Sequence, residues 1–140
     1  MKTPLLAALA ALSACASEPP GPPLPAAVHL DQRLVEAAFE RNIEITVDES
    51  GLLRSYLKRA LFRDQKREGQ LTAQQMQELA ALLDKWTPAA VPSTAAPWGA
   101  LQYGSKQTTW SRETKLPADV EAVVKYLRQV DEGFRLVPVR

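Results

Sequence analysis

Ser55-Tyr56-Leu57-Lys58 has the residue types and spacing of a nucleophile, because Ser-x-x-Lys is an interval at which a lysine helps activate a serine. The motifs that complete such a site, Ser-Asp-Asn and Lys-Thr-Gly, are absent, as is Gly-x-Ser-x-Gly. The single histidine, His29, lies close behind a proline-rich stretch, so a serine or cysteine hydrolase finds no base. Zinc asks for several Cys or His ligands at set intervals, and one of each is present. Asp48-Glu49 with Asp31 could offer oxygens to a weak calcium site, yet no Asp-x-Asp-x-Asp-Gly loop surrounds them, and turn acidity accounts for them. These residues predict a non-enzymatic protein without cofactor or metal.

Cys15 is the remaining residue with distinctive chemistry. It stands behind Lys2, an apolar stretch over residues 5–12 and the small residues Ser13 and Ala14, the parts of a secretory signal. The stretch is too short to span a bilayer, which takes about 20 apolar residues. Leu12-Ser13-Ala14-Cys15 resembles a bacterial lipobox. The resemblance implies cleavage between Ala14 and Cys15 and acylation of Cys15, palmitate included. Several chains on one residue anchor firmly, where a single chain holds only marginally. Ala16 in the next place, instead of Asp, implies transfer to the outer membrane, with the domain facing the periplasm. The competing reading is an ordinary signal peptide cut after Ala14 or Ala16.

The chain carries 17 basic and 16 acidic residues, and loss of residues 1–14 takes Lys2 with it, leaving 16 of each. A neutral chain lacks the basic field of a nucleic-acid binder. With no cysteine beyond Cys15, no disulfide forms within one chain, and the domain must be stabilised by its own core or by partners. Residues 15–27 hold the lipidated cysteine and five prolines and read as a tether, extended at about 3.1 Å per residue in polyproline II. Residues 28–140 then form one domain, long enough for a single core.

Asn42, Ile43, Glu44, Ile45, Thr46, Val47 and Asp48 alternate polar and apolar with β-branched residues, which predicts a half-buried strand. Glu49-Ser50-Gly51 predicts a turn, and residues 52–63 a returning strand. Leu53, Tyr56, Leu57, Ala60 and Leu61 also fit helical spacing, so that segment stays open. Thr72-Ala73-Gln74-Gln75 is a capping box, and Met76, Leu79, Ala80, Leu82, Leu83 and Trp86 supply the apolar face of the helix it starts, with Pro88 as its stop. Gly104-Ser105-Lys106 separates two short strand-like runs, a second hairpin. Leu116-Pro117-Ala118-Asp119-Val120 opens a second helix, with Val120, Val123, Val124, Leu127 and Val130 as its buried stripe and Gly133 as its end. Residues 28–39 read equally as a strand or the start of a helix, and residues 135–139 as an extended edge segment. The expected fold is α+β: an antiparallel sheet of two hairpins, four to five strands in all, with two helices on one face, in the order (β)ββαββα.

Two surface features remain. The basic run Arg54, Lys58, Arg59, Arg63, Lys66 and Arg67 reads as a solvated face or a guarded sheet edge, with anionic recognition as the alternative. Trp98, Tyr103 and Trp110 cluster on the second hairpin. They read first as cross-strand pairs and core, and together with the loop over residues 87–97 as the best surface for a partner.

The succession of hairpin, helix opened by Leu71-Thr72-x-x-Gln75, hairpin, and helix opened by Leu116-Pro117-x-x-Val120 resembles the emfourin-like proteins, over residues 40–130. Some members of that group inhibit thermolysin-type metalloproteases, so the resemblance implies an α+β fold and an inhibitory role, with no inhibitory residue carried over. The leading expectation is a lipid-anchored, non-catalytic envelope protein that presents a small binding or structural domain to an envelope partner, without nucleic acid. A metalloprotease inhibitor is the alternative.

Overall fold

The fold is that of a computed structural model, which describes residues 22–36, 39–60, 62–88, 97–112 and 115–139. Ala14, Cys15, the signal segment, the tether before residue 22 and residues 89–96 of the loop lie outside the described residues. The elements run β1 (Val28–Glu36), β2 (Phe39–Val47), β3 (Leu52–Arg59), β4 (Gln65–Gln70), α1 (Ala73–Lys85), β5 (Gly99–Tyr103), β6 (Lys106–Trp110), α2 (Ala118–Glu132) and β7 (Leu136–Val137). The strands form one sheet in the order β6-β5-β1-β2-β3-β4-β7, antiparallel at every pairing. The class is therefore α+β, an antiparallel sheet with two helices.

The sheet has seven strands, not the four to five expected. β4 reads Gln-Lys-Arg-Glu-Gly-Gln, and nothing in it alternates apolar with polar, so it carries no period-2 signal. β7 has two residues, paired at Leu136 with Arg67 and at Val137 with Lys66. Residues 28–36 are strand, because Val28, Leu30 and Leu34 lie on one side of a ladder with β2. The helical spacing in residues 52–61 also fails. β3 is bonded on both sides, with Leu53, Ser55 and Leu57 opposite Val47, Ile45 and Ile43, and opposite Gly69, Arg67 and Gln65. Strand pairing on two flanks outweighs an accidental helical count.

The register sorts residues onto two faces. Val28, Leu30, Ile43, Ile45, Val47, Leu53 and Leu101 share the inner face and are buried beneath the helices. His29, Asp31, Glu44, Thr46, Arg54 and Lys58 occupy the outer face, and His29 shares a 3.0 Å hydrogen bond with Thr46 there. Leu24, within the stretch read as tether, is buried in the same core, and its amide donates to the Glu49 carbonyl at 2.9 Å.

The capping box forms as its spacing predicts: the Gln75 amide donates to Thr72 Oγ1 at 3.1 Å, and the Thr72 amide donates to Gln75 Oε1 at 2.9 Å. Met76, Leu79 and Leu83 then point inward, and Trp86 closes the helix, itself buried. α2 begins after Pro117, which caps with no side-chain hydrogen bond. Asp119 instead receives the Thr87 amide on Oδ2 at 2.9 Å, tying the end of α1 to the start of α2. Tyr126 of α2 donates to Glu78 of α1 at 2.7 Å. Burial, with that bond second, raises the Tyr126 pKa well above the usual phenol range. Among the described residues no helix is long and apolar enough to cross a membrane.

α1 and α2 are antiparallel: Thr87 after α1 meets Asp119 at the start of α2, and Tyr126 farther along α2 reaches Gln75 and Glu78 near the start of α1. β1 and β2 each have nine residues, about 30 Å. At the far end of these strands the inner-face positions Leu34, Arg41 and Arg59 lie outside the fully buried core.

Candidate binding groove

Beyond α2 the inner face carries Leu34 on β1, Arg41 on β2 and Arg59 on β3, which lie level with one another in the ladder. With α2 as a wall and the sheet as a floor, this end of the inner face makes a groove. One cavity of about 710 Å³ lies between Gln32 of β1, Lys115 and Leu116 ahead of α2, and Val124, Lys125 and Arg128 on the helix. A second, of about 160 Å³, continues under the helix end between Leu34, Arg41, Leu57, Gln65, Arg67 and Arg128. Arg128 and Glu132 border both.

The inner wall of the smaller cavity is a buried polar contact. The Ser55 hydroxyl donates to Asp131 Oδ1, and both residues are buried, at 6% and 4% exposure. Arg67 Nη1 donates to the Asp131 carbonyl at 3.2 Å and lies 4.0 Å from Asp131 Oδ2. Burial raises the Asp131 pKa above the usual carboxylate range, and the Ser55 hydroxyl and Arg67 offset part of that rise. The result is an arginine held in place beside a carboxyl whose charge is disfavoured. Arg128, half-buried across the cavity, acts on the same carboxylate and also offsets part of the rise in its pKa. The Gln32 side-chain oxygen is buried without a partner at the edge of the larger cavity.

Ser55 and Lys58 do not form a pair. They are three residues apart on a strand, so Ser55 faces inward to Asp131 and Lys58 outward, 5.5 Å over the Tyr56 ring. Asp48, Glu49 and Asp31 do not assemble either. Asp48 Oδ1 accepts from the Ser50 amide, the Ser50 hydroxyl and the Leu52 amide in the β2–β3 turn, while Asp31 lies opposite Glu44 within the ladder. Among the described residues no three His, Cys, Asp or Glu side chains are grouped as metal ligands would be. The Ser50 hydroxyl is the main reason that the Asp48 pKa lies below the usual carboxylate range.

The aromatic trio divides. Trp110 is buried, its ring lying over Gly99, where a Cβ would come within 2.1 Å of it. Tyr103 is half-buried against the core. Trp98 is half-buried too, with the Arg112 guanidinium 5.2 Å from its ring centre. The basic run also separates: Arg54 and Lys58 face outward, Arg59 and Arg67 inward, and Arg63 sits in the turn between β3 and β4. Arg41, Arg128, Gln32 and Gln65 escaped the sequence reading because they come from four elements. One signal did exist. Asp131 follows Val120, Val124 and Leu127 at helical spacing, and a carboxylate on a buried stripe marks a polar site beneath it.

At the level of comparison with known proteins, the chain matches no family model, no curated protein and no solved structure.

Proposed function

We propose that the chain is a lipid-anchored, non-catalytic protein of the bacterial cell envelope whose α+β domain binds an envelope partner through the groove beside α2. The lipid is carried by Cys15 after cleavage behind Ala14, and Ala16 directs the protein to the outer membrane, with the domain in the periplasm. The observation that carries the reading is the position of the groove relative to the chain's point of entry. Leu24 is bonded to Glu49 at the β2–β3 turn, at one end of the long strands, and Arg41 and Arg59 lie toward the other. The strands thus hold the groove roughly 20–30 Å beyond the point where the tether joins. The separation of Ser55 from Lys58 supports the non-catalytic part of the reading.

Growth of cells in labelled palmitate tests the anchor. The full chain should take up label and sediment with membranes, and the Cys15→Ser variant should carry none. Equal labelling of the two, or an unlabelled wild-type chain, would sink the proposal.

A second reading, an emfourin-like inhibitor of a metalloprotease, is favoured by the succession of strand pair, helix, strand pair and helix from β3 to α2. Addition of the full chain at micromolar concentration to a thermolysin-type protease should slow peptide hydrolysis under that reading. An unchanged rate removes it.

A further inference from the structure

We propose that the outer face of the sheet, opposite the groove, carries a saccharide site in the cavity of about 380 Å³ beside Trp98. The register builds it. Asp31 lies level with Ala100 and Arg33 with Asn42, while the Arg33 amide donates to the Trp98 carbonyl at 2.7 Å and the Trp98 amide to the Trp110 carbonyl at 2.8 Å. Trp98 is thereby pinned beside β1. Gly99 and Ala100 bring almost no side chain to the space next to it, and Asp31, Arg33 and Asn42 border the rest. The volume falls within the range of small-molecule sites, about 300–1,000 Å³.

The lining selects the class of ligand. An anion entering the cavity meets Asp31, and a cation meets Arg33. An apolar molecule strips water from Asp31, Arg33 and Asn42 and returns no hydrogen bond to any of them. A neutral ring with apolar faces and hydroxyls around its edge suits the whole lining. Its C–H groups meet the electron-rich face of the indole, while its hydroxyls donate to Asp31 and accept from Arg33. Asp31 is oriented for this. With its amide turned to match its neighbours, Asn42 donates from its side-chain nitrogen to Asp31 Oδ1 at 2.9 Å and to the Gln32 carbonyl at 3.0 Å, which leaves the carboxylate further acceptor sites. The Arg112 guanidinium, 5.2 Å from the centre of the Trp98 ring, does not border the cavity, so it braces the ring without filling the space. A second cavity of about 410 Å³ also borders Arg33 and Asn42, with Lys58 and Asp64 beyond them, and gives that face room for a ligand of more than one ring.

The experiment uses the ¹⁵N-labelled full chain in micelles of a detergent without a sugar headgroup. It follows the tryptophan indole N–H signals and the backbone amides of Arg33 and Ala100. Tetra-N-acetylchitotetraose, maltotetraose and adenosine are titrated separately. Saturable shifts of Trp98, Arg33 and Ala100 are expected with at least one saccharide, while the indole of the buried Trp86 stays in place. On the backbone signals, Trp98→Ala should weaken the responding saccharide about tenfold, and Trp98→Phe, which keeps a ring, by less. Asp31→Ala should weaken it about fivefold. Arg128→Gln, at the groove, should leave it unchanged, so this face and the groove are read separately. Four results would overturn the site: no saturable shift with either saccharide, a Trp86 shift as large as that of Trp98, Trp98→Ala binding as wild type does, or a shift with adenosine that neither saccharide matches. The last would mark a nucleobase in place of a sugar.

Discussion

The two ends of the sheet use the same strands for opposite purposes. At the β2–β3 turn, Leu53, Leu71, Met76, Leu79, Leu83 and Trp86 are all buried to within a few per cent, and Gly51 lies so close to Met76 that a Cβ would come within 2.5 Å of its sulfur. At the other end Val35, Phe39 and Phe62 are about half exposed, at 45%, 45% and 58%, and arginines replace the aliphatic rows. The two rings meet edge-on at 6.2 Å, and Arg59 lies 5.1 Å over Phe62. The carboxylates show the same division. Asp48, at the packed end, is satisfied by three local donors, while Asp131, under the helix end, is buried with its charge disfavoured. Cohesion is concentrated where the helices cover the sheet. The part they leave bare is free to vary in side-chain chemistry, and a binding face can be built there at little expense to stability.

Mutation of matched residues tests that contrast most sharply. Leu83→Ala, in the covered half, should destabilise by about 3–5 kcal/mol in urea denaturation, and Leu57→Ala, on the groove floor, by less than about 2 kcal/mol. Equal losses would abolish the distinction between the ends. Next in size is Gly51→Ala. Its φ of 88° and the Met76 sulfur behind it should together lower stability by about 2 kcal/mol, read as a shift in the urea midpoint at constant m-value. Thr72→Ala removes one half of the capping box and should lower stability by about 1 kcal/mol, with Thr72→Ser close to wild type.

The smallest effects are pH-dependent and opposite in sign. Asp48 has a lowered pKa when folded, so its contribution is present above about 3.8 and is lost as pH falls through the folded value. Asp131 has a raised one, so the proton it retains favours folding at low pH, and that contribution is lost as pH rises from 3.8 through the folded value. Stability measured from pH 3 to 7 should therefore show wild type gaining on Asp48→Asn as pH rises and losing ground to Asp131→Asn. Parallel profiles for the two variants would mean that the two carboxylates share one environment.

Much of the covered half is legible in the residues. Thr72-x-x-Gln75 announces its helix, Pro117 and Asp119 theirs, and Gly51 the turn that Asp48 and Ser50 complete. Each of these signals is local, a hydrogen bond or a backbone angle set within about four residues. β4 was not legible, because a polar strand near a sheet edge is selected by pairing and not by burial, whereas the extended edge segment read over residues 135–139 is β7, at the edge of the sheet. The groove was legible least. Arg41, Arg67 and Arg128 are scattered over 88 positions of the chain, counted from first to last, and no period links them. Trp98, Tyr103 and Trp110 drew attention by residue type, yet Trp110 is core, filling the space that Gly99 leaves.

The sequence by itself determined an α+β chain, the starts of both helices, the apolar stripes that bury against the sheet, and a Cys15 motif that resembles a lipobox. These rest on short-range chemistry and survive any arrangement of the strands. Only the tertiary structure decided that Ser55 and Lys58 face apart, that β4 joins the sheet between β3 and β7, and that three distant arginines border one cavity. Those outcomes depend on register and on pairing between distant segments, which no stretch of the chain encodes alone.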